Sequence, residues 1–117
     1  MYKTLYLSPM LPSSNITGTV SFFTELLQFK TELLGPTYAI VYKDKFTIHI
    51  IKSDGHLNEL EFYMQVDNVD EVWDLLKVKE NELRIKGPIN QEYGMREIHI
   101  EVPYTKSIMF IGQEANH

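Results

Sequence analysis

The chain of 117 residues contains no cysteine. That removes disulfides, thiol nucleophiles, thiolate zinc centres and iron–sulfur clusters together. No apolar run approaches the ~20 residues of a membrane span. The opening Met1-Tyr2-Lys3-Thr4-Leu5 has neither the basic nor the apolar segment of a secretory leader. Basic residues are the minority: 11 Lys and Arg stand against 16 Asp and Glu, a net charge of −5. Nucleic acid and anionic membranes are both bound by neutralising phosphates with basic side chains, so neither is an expected partner. Nucleophile elbows, phosphate-binding glycine loops and dinucleotide fingerprints are also missing. The expectation is one cytoplasmic domain spanning residues 1–117, with a core that buries roughly two-thirds of the unfolded surface.

What is present is a repeated order of periodicities. Tyr2 to Leu11 reads as a strand ending in the corner Ser8-Pro9-Met10-Leu11-Pro12. Asn15 is an N-cap candidate, and Ile16, Val20, Phe23 and Leu27 follow at helical spacing. Three strands are expected next: Phe29 to Leu34, Thr37 to Tyr42 and Lys45 to Ile51, with a tight turn at Lys43-Asp44. The order then recurs. Glu59 to Val66 alternates strictly between apolar and polar. Asp67 or Asn68 can cap a helix carrying Val69, Val72, Trp73 and Leu76. Leu83 to Ile85 is a short strand ending at Gly87-Pro88, and Met95 to Val102 and Lys106 to Gly112 form a last hairpin. The chain therefore reads as two βαβββ modules, at about 1–53 and about 58–113, in an α+β fold. The modules match with Ala39 aligned to His99 and His49 to Met109.

Specific segments then carry a resemblance. Pro9-Met10-Leu11-Pro12-Ser13-Ser14-Asn15-Ile16, Thr19-Val20-Ser21-Phe22-Phe23, Leu26-Leu27-Gln28-Phe29 and Tyr38-Ala39-Ile40-Val41 are quoted from the first half. Val66-Asp67-Asn68-Val69-Asp70, Gly87-Pro88-Ile89, Tyr93-Gly94-Met95-Arg96-Glu97 and Ile108-Met109-Phe110-Ile111-Gly112-Gln113 follow in the second. In order and spacing the chain resembles the bleomycin-resistance-like branch of the glyoxalase/bleomycin-resistance/dioxygenase group, the vicinal-oxygen-chelate superfamily. The resemblance implies two modules curled into a barrel-like mixed sheet with helices on its convex side, and a ligand in the concave groove. It implies a homodimer whose first strands are exchanged, with Pro9 to Pro12 as hinge and each groove shared. Metal-dependent relatives place His or Glu at four positions that map here to Ser8, His49, Glu61 and Met109. Two of the four His or Glu ligands are thus absent, and the thioether that replaces one is a poor donor to a hard cation. No metal or other cofactor is therefore expected.

Strand parity assigns the groove face. It sends Tyr6 and Ser8, then Thr47, His49 and Ile51, then Glu61, Tyr63 and Gln65 inward. In the last hairpin it sends Glu97, His99 and Glu101, and Ser107, Met109 and Ile111, to the same face. Candidate ligand contacts are Tyr6, His49, Glu61, Tyr63, Tyr93, His99 and Met109. Tyr93 is included because relatives carry an aromatic at the groove mouth. Glu97 and Glu101 read as solvated, and Trp73 as core. His56 carries no visible chemistry, and His117 is expected to fray.

Two functions remain open. One is sequestration of a small, cationic molecule, which needs affinity and no catalytic residue. The other is a lyase, isomerase or oxygenase of the glyoxalase/dioxygenase type. It would use His49 and Glu61 as an acid–base pair, or a divalent metal on His49, Glu61 and His99.

Overall fold

The computed structural model describes residues 1–115; His117 lies outside them. Strand β1 (Met10–Ser13), helix α1 (Ile16–Ser21), β2 (Lys30–Leu34), β3 (Tyr38–Lys43) and β4 (Phe46–Lys52) form the first half. Strand β5 (Glu61–Gln65), helix α2 (Val69–Leu76), β6 (Ile85–Asn90), β7 (Met95–Glu101) and β8 (Ile108–Glu114) form the second. The sheet orders are β1-β4-β3-β2 and β5-β8-β7-β6. In both, the first strand runs parallel to the last and the other pairs are antiparallel. The architecture is α+β, with two mixed sheets of identical order. No ladder joins the two sheets among the described residues.

Both helices start where a side-chain carboxamide replaces missing backbone partners. Asn15 Oδ1 accepts from Gly18 N, and Asn68 Oδ1 accepts from Glu71 N. Helix α1 continues into a π-turn at Phe22–Leu26. Gln28, at φ 63°, turns the chain out of it. Helix α2 continues as a 3₁₀ segment, Lys77–Glu82. The β3–β4 turn falls on Asp44-Lys45, between the paired Lys43 and Phe46. Asp44 takes a φ of 56°, a left-handed conformation its short side chain tolerates.

One face of each sheet packs with the helices into a single core. Ala39, Val41, Ile48 and Ile50 contribute from the first half, and Ile98, Ile100, Met109 and Ile111 from the second. Phe23, fully buried from the π-turn, stacks edge-on with Phe22 and Phe29. Trp73 packs against this core and lies over Gly87. The halves are tied at the β7–β8 loop. Ser14 N donates to Tyr104 O at 2.9 Å, and Thr19 Oγ1 donates to Pro103 O at 2.9 Å. The Tyr104 ring lies so close over Gly18 that a Cβ there would sit 2.3 Å from it. Tyr104 holds a φ of 66°, a strained value for a bulky residue, to make this contact.

Three expectations are corrected. Residues 1–9 are not a sheet strand; pairing begins at Met10, because Pro9 can supply only its carbonyl, to His49 N. Strand β6 does not stop at Gly87-Pro88 but runs through it to Asn90, absorbing the proline in a register shift between Lys86 and Ile89. The third concerns the repeat. The ladder register repeats at an offset of 60, with Ala39–Ile50 matched by His99–Phe110 and Ile40–His49 by Ile100–Met109. The buried face does not repeat: Ala39 and Ile50 are core, whereas in the second half Ile98, Ile100, Met109 and Ile111 are. A change of parity reverses every side chain. Met109, the ladder match of His49, therefore turns into the core while Phe110 takes the outward face.

Candidate functional site

The polar chemistry gathers on the sheet faces turned away from the helices. On the first sheet, His49 is held at both ring nitrogens. The Tyr38 hydroxyl meets Nδ1 at 2.5 Å, and the Tyr6 hydroxyl meets Nε2. Thr47 Oγ1 donates to the Tyr6 oxygen at 3.1 Å, and Ser8 Oγ donates to Thr47 O at 2.7 Å. These bonds lay the N-terminal segment along β4.

On the second sheet, Glu97 is the centre. It is 2% exposed. Tyr63 Oη donates to one carboxylate oxygen at 2.7 Å; Tyr93 Oη donates to the other at 2.5 Å. His99 Nε2 lies 3.0 Å from that second oxygen. The His99 ring tilts over Phe110 with centroids 4.3 Å apart, and Tyr63 stacks on the other side of the group at 6.3 Å from Phe110. Burial pulls the Glu97 carboxyl upward. The bonds from Tyr93, His99 and Tyr63, and the charge of His99, outweigh it and hold the group below its ordinary value. Tyr63 is raised well above the phenol range by burial, then by its bond to Glu97 and by the nearby negative charge. Tyr93 is raised by its bond to Glu97 first, then by burial and that charge.

A cavity of about 580 Å³ opens between the N-terminal segment, the β3–β4 turn and β5. Its apolar wall is Leu5, Leu7, Phe29, Phe46, Phe62 and Met64, with Tyr6 and Tyr63 at its polar edge. That volume suits a drug-sized molecule.

Of the residues expected in the groove, Tyr63, Tyr93 and His99 meet at Glu97, and Tyr6 meets His49. Glu61 is exposed on β5, and its carboxylate makes no hydrogen bond or ion pair among the described residues. It does not meet His49, whose nitrogens are already taken by phenols. Met109 is corrected: it is fully buried, directly opposite Ile100, and points into the core. Glu97 is corrected too, from a solvated side chain to the most buried carboxylate of the site. Its signal in the sequence was the alternation that set it on one face with His99 and Tyr63. What single-strand parity could not show is that Gly112, its cross-strand partner, leaves room for a tyrosine above it.

The four family metal positions do not form a donor set. Ser8 is bonded to a backbone carbonyl, His49 is saturated by two phenols, Glu61 stands apart, and Met109 is on the opposite face. Nor do His49, Glu61 and His99 converge: no group of three His, Asp or Glu side chains able to hold a metal ion occurs among the described residues.

The fold has well-defined relatives. A bleomycin resistance determinant encoded on transposon Tn5 superposes with a TM-score of 0.82 at 17% identity, covering 97% of this chain and 100% of that one. A bleomycin-binding protein from Streptomyces verticillus, complexed with copper(II)-bleomycin, gives 0.76 at 16% identity, covering 99% and 100%. A lactoylglutathione lyase from Agrobacterium tumefaciens gives 0.77 at 12% identity, covering 97% and 96%. No family profile matches the sequence, and no curated protein sequence matches it significantly. The chain has the fold of the vicinal-oxygen-chelate superfamily, shared by bleomycin-binding proteins and glyoxalase-like enzymes. No helix among the described residues is long and apolar enough to cross a membrane.

Proposed function

We propose that the protein binds and sequesters a small molecule in the manner of bleomycin-resistance proteins, without the superfamily's metal site and without chemistry on the ligand. The observation that carries this reading is the cavity of about 580 Å³, walled by Leu5, Leu7, Phe46, Phe62 and Met64 and edged by tyrosines. Affinity there comes from apolar burial, at roughly 25 cal/mol per Å² removed from water, with a few polar groups setting orientation. Two bleomycin-binding proteins of this fold are complexed with the drug, so bleomycin is the first ligand to try. The saturated His49 and the isolated Glu61 count against an acid–base pair, which needs the two groups within hydrogen-bond reach of one reacting atom.

The reading includes a cytoplasmic homodimer with a shared, barrel-like groove. Leu5 and Leu7 are 92% and 91% exposed in a single chain, and every residue of β2 is exposed. An apolar segment with no cover, ending in the corner Pro9 to Pro12, is suited to exchange between chains. The direct test is thermal unfolding with and without bleomycin, alongside light scattering. A ligand at 100 times its dissociation constant adds roughly 2.7 kcal/mol to stability. Absence of any shift with bleomycin and with related basic drugs, or a monomer mass at micromolar concentration, contradicts the respective part.

A further inference from the structure

The hydrogen-bond directions around Glu97 constrain what can dock there. An ionised carboxylate only accepts. The hydroxyl hydrogens of Tyr63 and Tyr93 are therefore both committed to Glu97, and so is the Nε2 hydrogen of His99. What this group turns outward is then a pair of acceptors, the lone pairs of the two phenol oxygens. The phenols are open to solvent, Tyr93 at 63% and Tyr63 at 45%. Glu97 itself is out of reach, yet its negative charge lies directly behind them. The rings of Tyr63, Phe110 and His99 add π-faces, which attract cations.

The surrounding charges agree. Glu61 and Glu101 share this face by strand parity, Glu101 with the Arg84 guanidinium 3.9 Å away. Lys86 stands opposite His99 on β6, but forms no ion pair with the cluster among the described residues. Arg96, next to Glu97 on β7 and of opposite parity, is bound to Asp70 of α2 at 2.9 Å.

Resting on the sequestration reading above, we propose that the Glu97 cluster is the recognition point for a nitrogen cation bearing N–H donors, an amine, amidine or guanidine group of the ligand. Its N–H groups bond to the oxygens of Tyr63 and Tyr93, beside the His99 ring. A neutral ligand of the same shape lacks the charge that Glu97 attracts, and a quaternary ammonium lacks the donors that the acceptors require.

The test is titration of the protein with benzamidinium, benzamide and phenyltrimethylammonium, read at the His99 imidazole signals by NMR, with bleomycin binding measured in parallel. Benzamidinium is expected to move the His99 signals saturably, benzamide not to, and phenyltrimethylammonium to bind at least tenfold more weakly than benzamidinium. Tyr93→Phe, at an exposed position, and Tyr63→Phe should each weaken benzamidinium roughly tenfold, the scale of one hydrogen bond to a charged group. Equal binding of benzamide, unchanged affinity in both variants, or no saturable shift at His99 overturns the assignment. If bleomycin binds while any of these holds, only the cation site falls; if nothing binds, the sequestration reading falls with it.

Discussion

Gly112 makes room for the hydroxyl of Tyr63. A Cβ at Gly112 would lie 1.8 Å from Tyr63 Oη, 2.7 Å from its Cζ and 3.2 Å from Glu97 Cγ. No side chain fits there while Tyr63 reaches the carboxylate. The absence of one methyl group on β8 thus permits a bond between β5 and β7 across the strand that separates them.

Gly112→Ala should therefore expel Tyr63 from Glu97. The strand geometry itself tolerates alanine, so the cost is the lost bond and a less satisfied buried carboxylate, about 1–3 kcal/mol. Chemical denaturation measures it. A change within a few tenths of a kcal/mol would show that Tyr63 does not depend on that gap.

Two of the seven tyrosines should ionise late. Tyr63 and Tyr93 both hold their protons beyond the ordinary phenol value of ~10. Their raised values contribute stability that is complete below that value and is lost as pH rises through the folded one. Ultraviolet titration of tyrosinate reads the phenols directly. Glu97→Gln should return both toward ordinary behaviour; an unchanged titration curve would contradict the arrangement.

The acid limb follows from Glu97. Its folded value is depressed, so its contribution is present above the ordinary carboxylate range and is lost as pH falls through the folded value. The melting temperature should decline more steeply toward acid in the native protein than in Glu97→Gln. Parallel declines would mean that the three donors do not stabilise the anion.

Ser107 offers a prediction of the opposite sign. Its side chain is fully buried and its Oγ has no hydrogen-bond partner. Ser107→Ala removes an unsatisfied hydroxyl and should leave stability unchanged or raise it by about 1 kcal/mol. A loss above ~1 kcal/mol in a denaturation experiment would show an unseen partner.

Much of the frame is legible in the residues because it is set locally. Asn15 and Asn68 cap their helices through their own side chains, and the alternation around Tyr63 fixes which face of β5 turns outward. What escapes the sequence is set between strands. Met109 and His49 match in ladder register, yet the buried face reverses between the halves and puts Met109 in the core. Glu97 looks like an ordinary solvated carboxylate until Tyr63, Tyr93 and His99 close over it, from two other segments and its own strand. The strand expected at Tyr2 to Leu11 has the right composition, but most of it lacks a ladder partner within one chain.

Calorimetric titration of metal-free bleomycin into chelator-treated protein tests the central claim most directly. The account predicts saturable binding of one ligand per chain, with the same affinity before and after chelation. Retention of a stoichiometric divalent metal whose removal abolishes binding would contradict it, as would the absence of any binding heat.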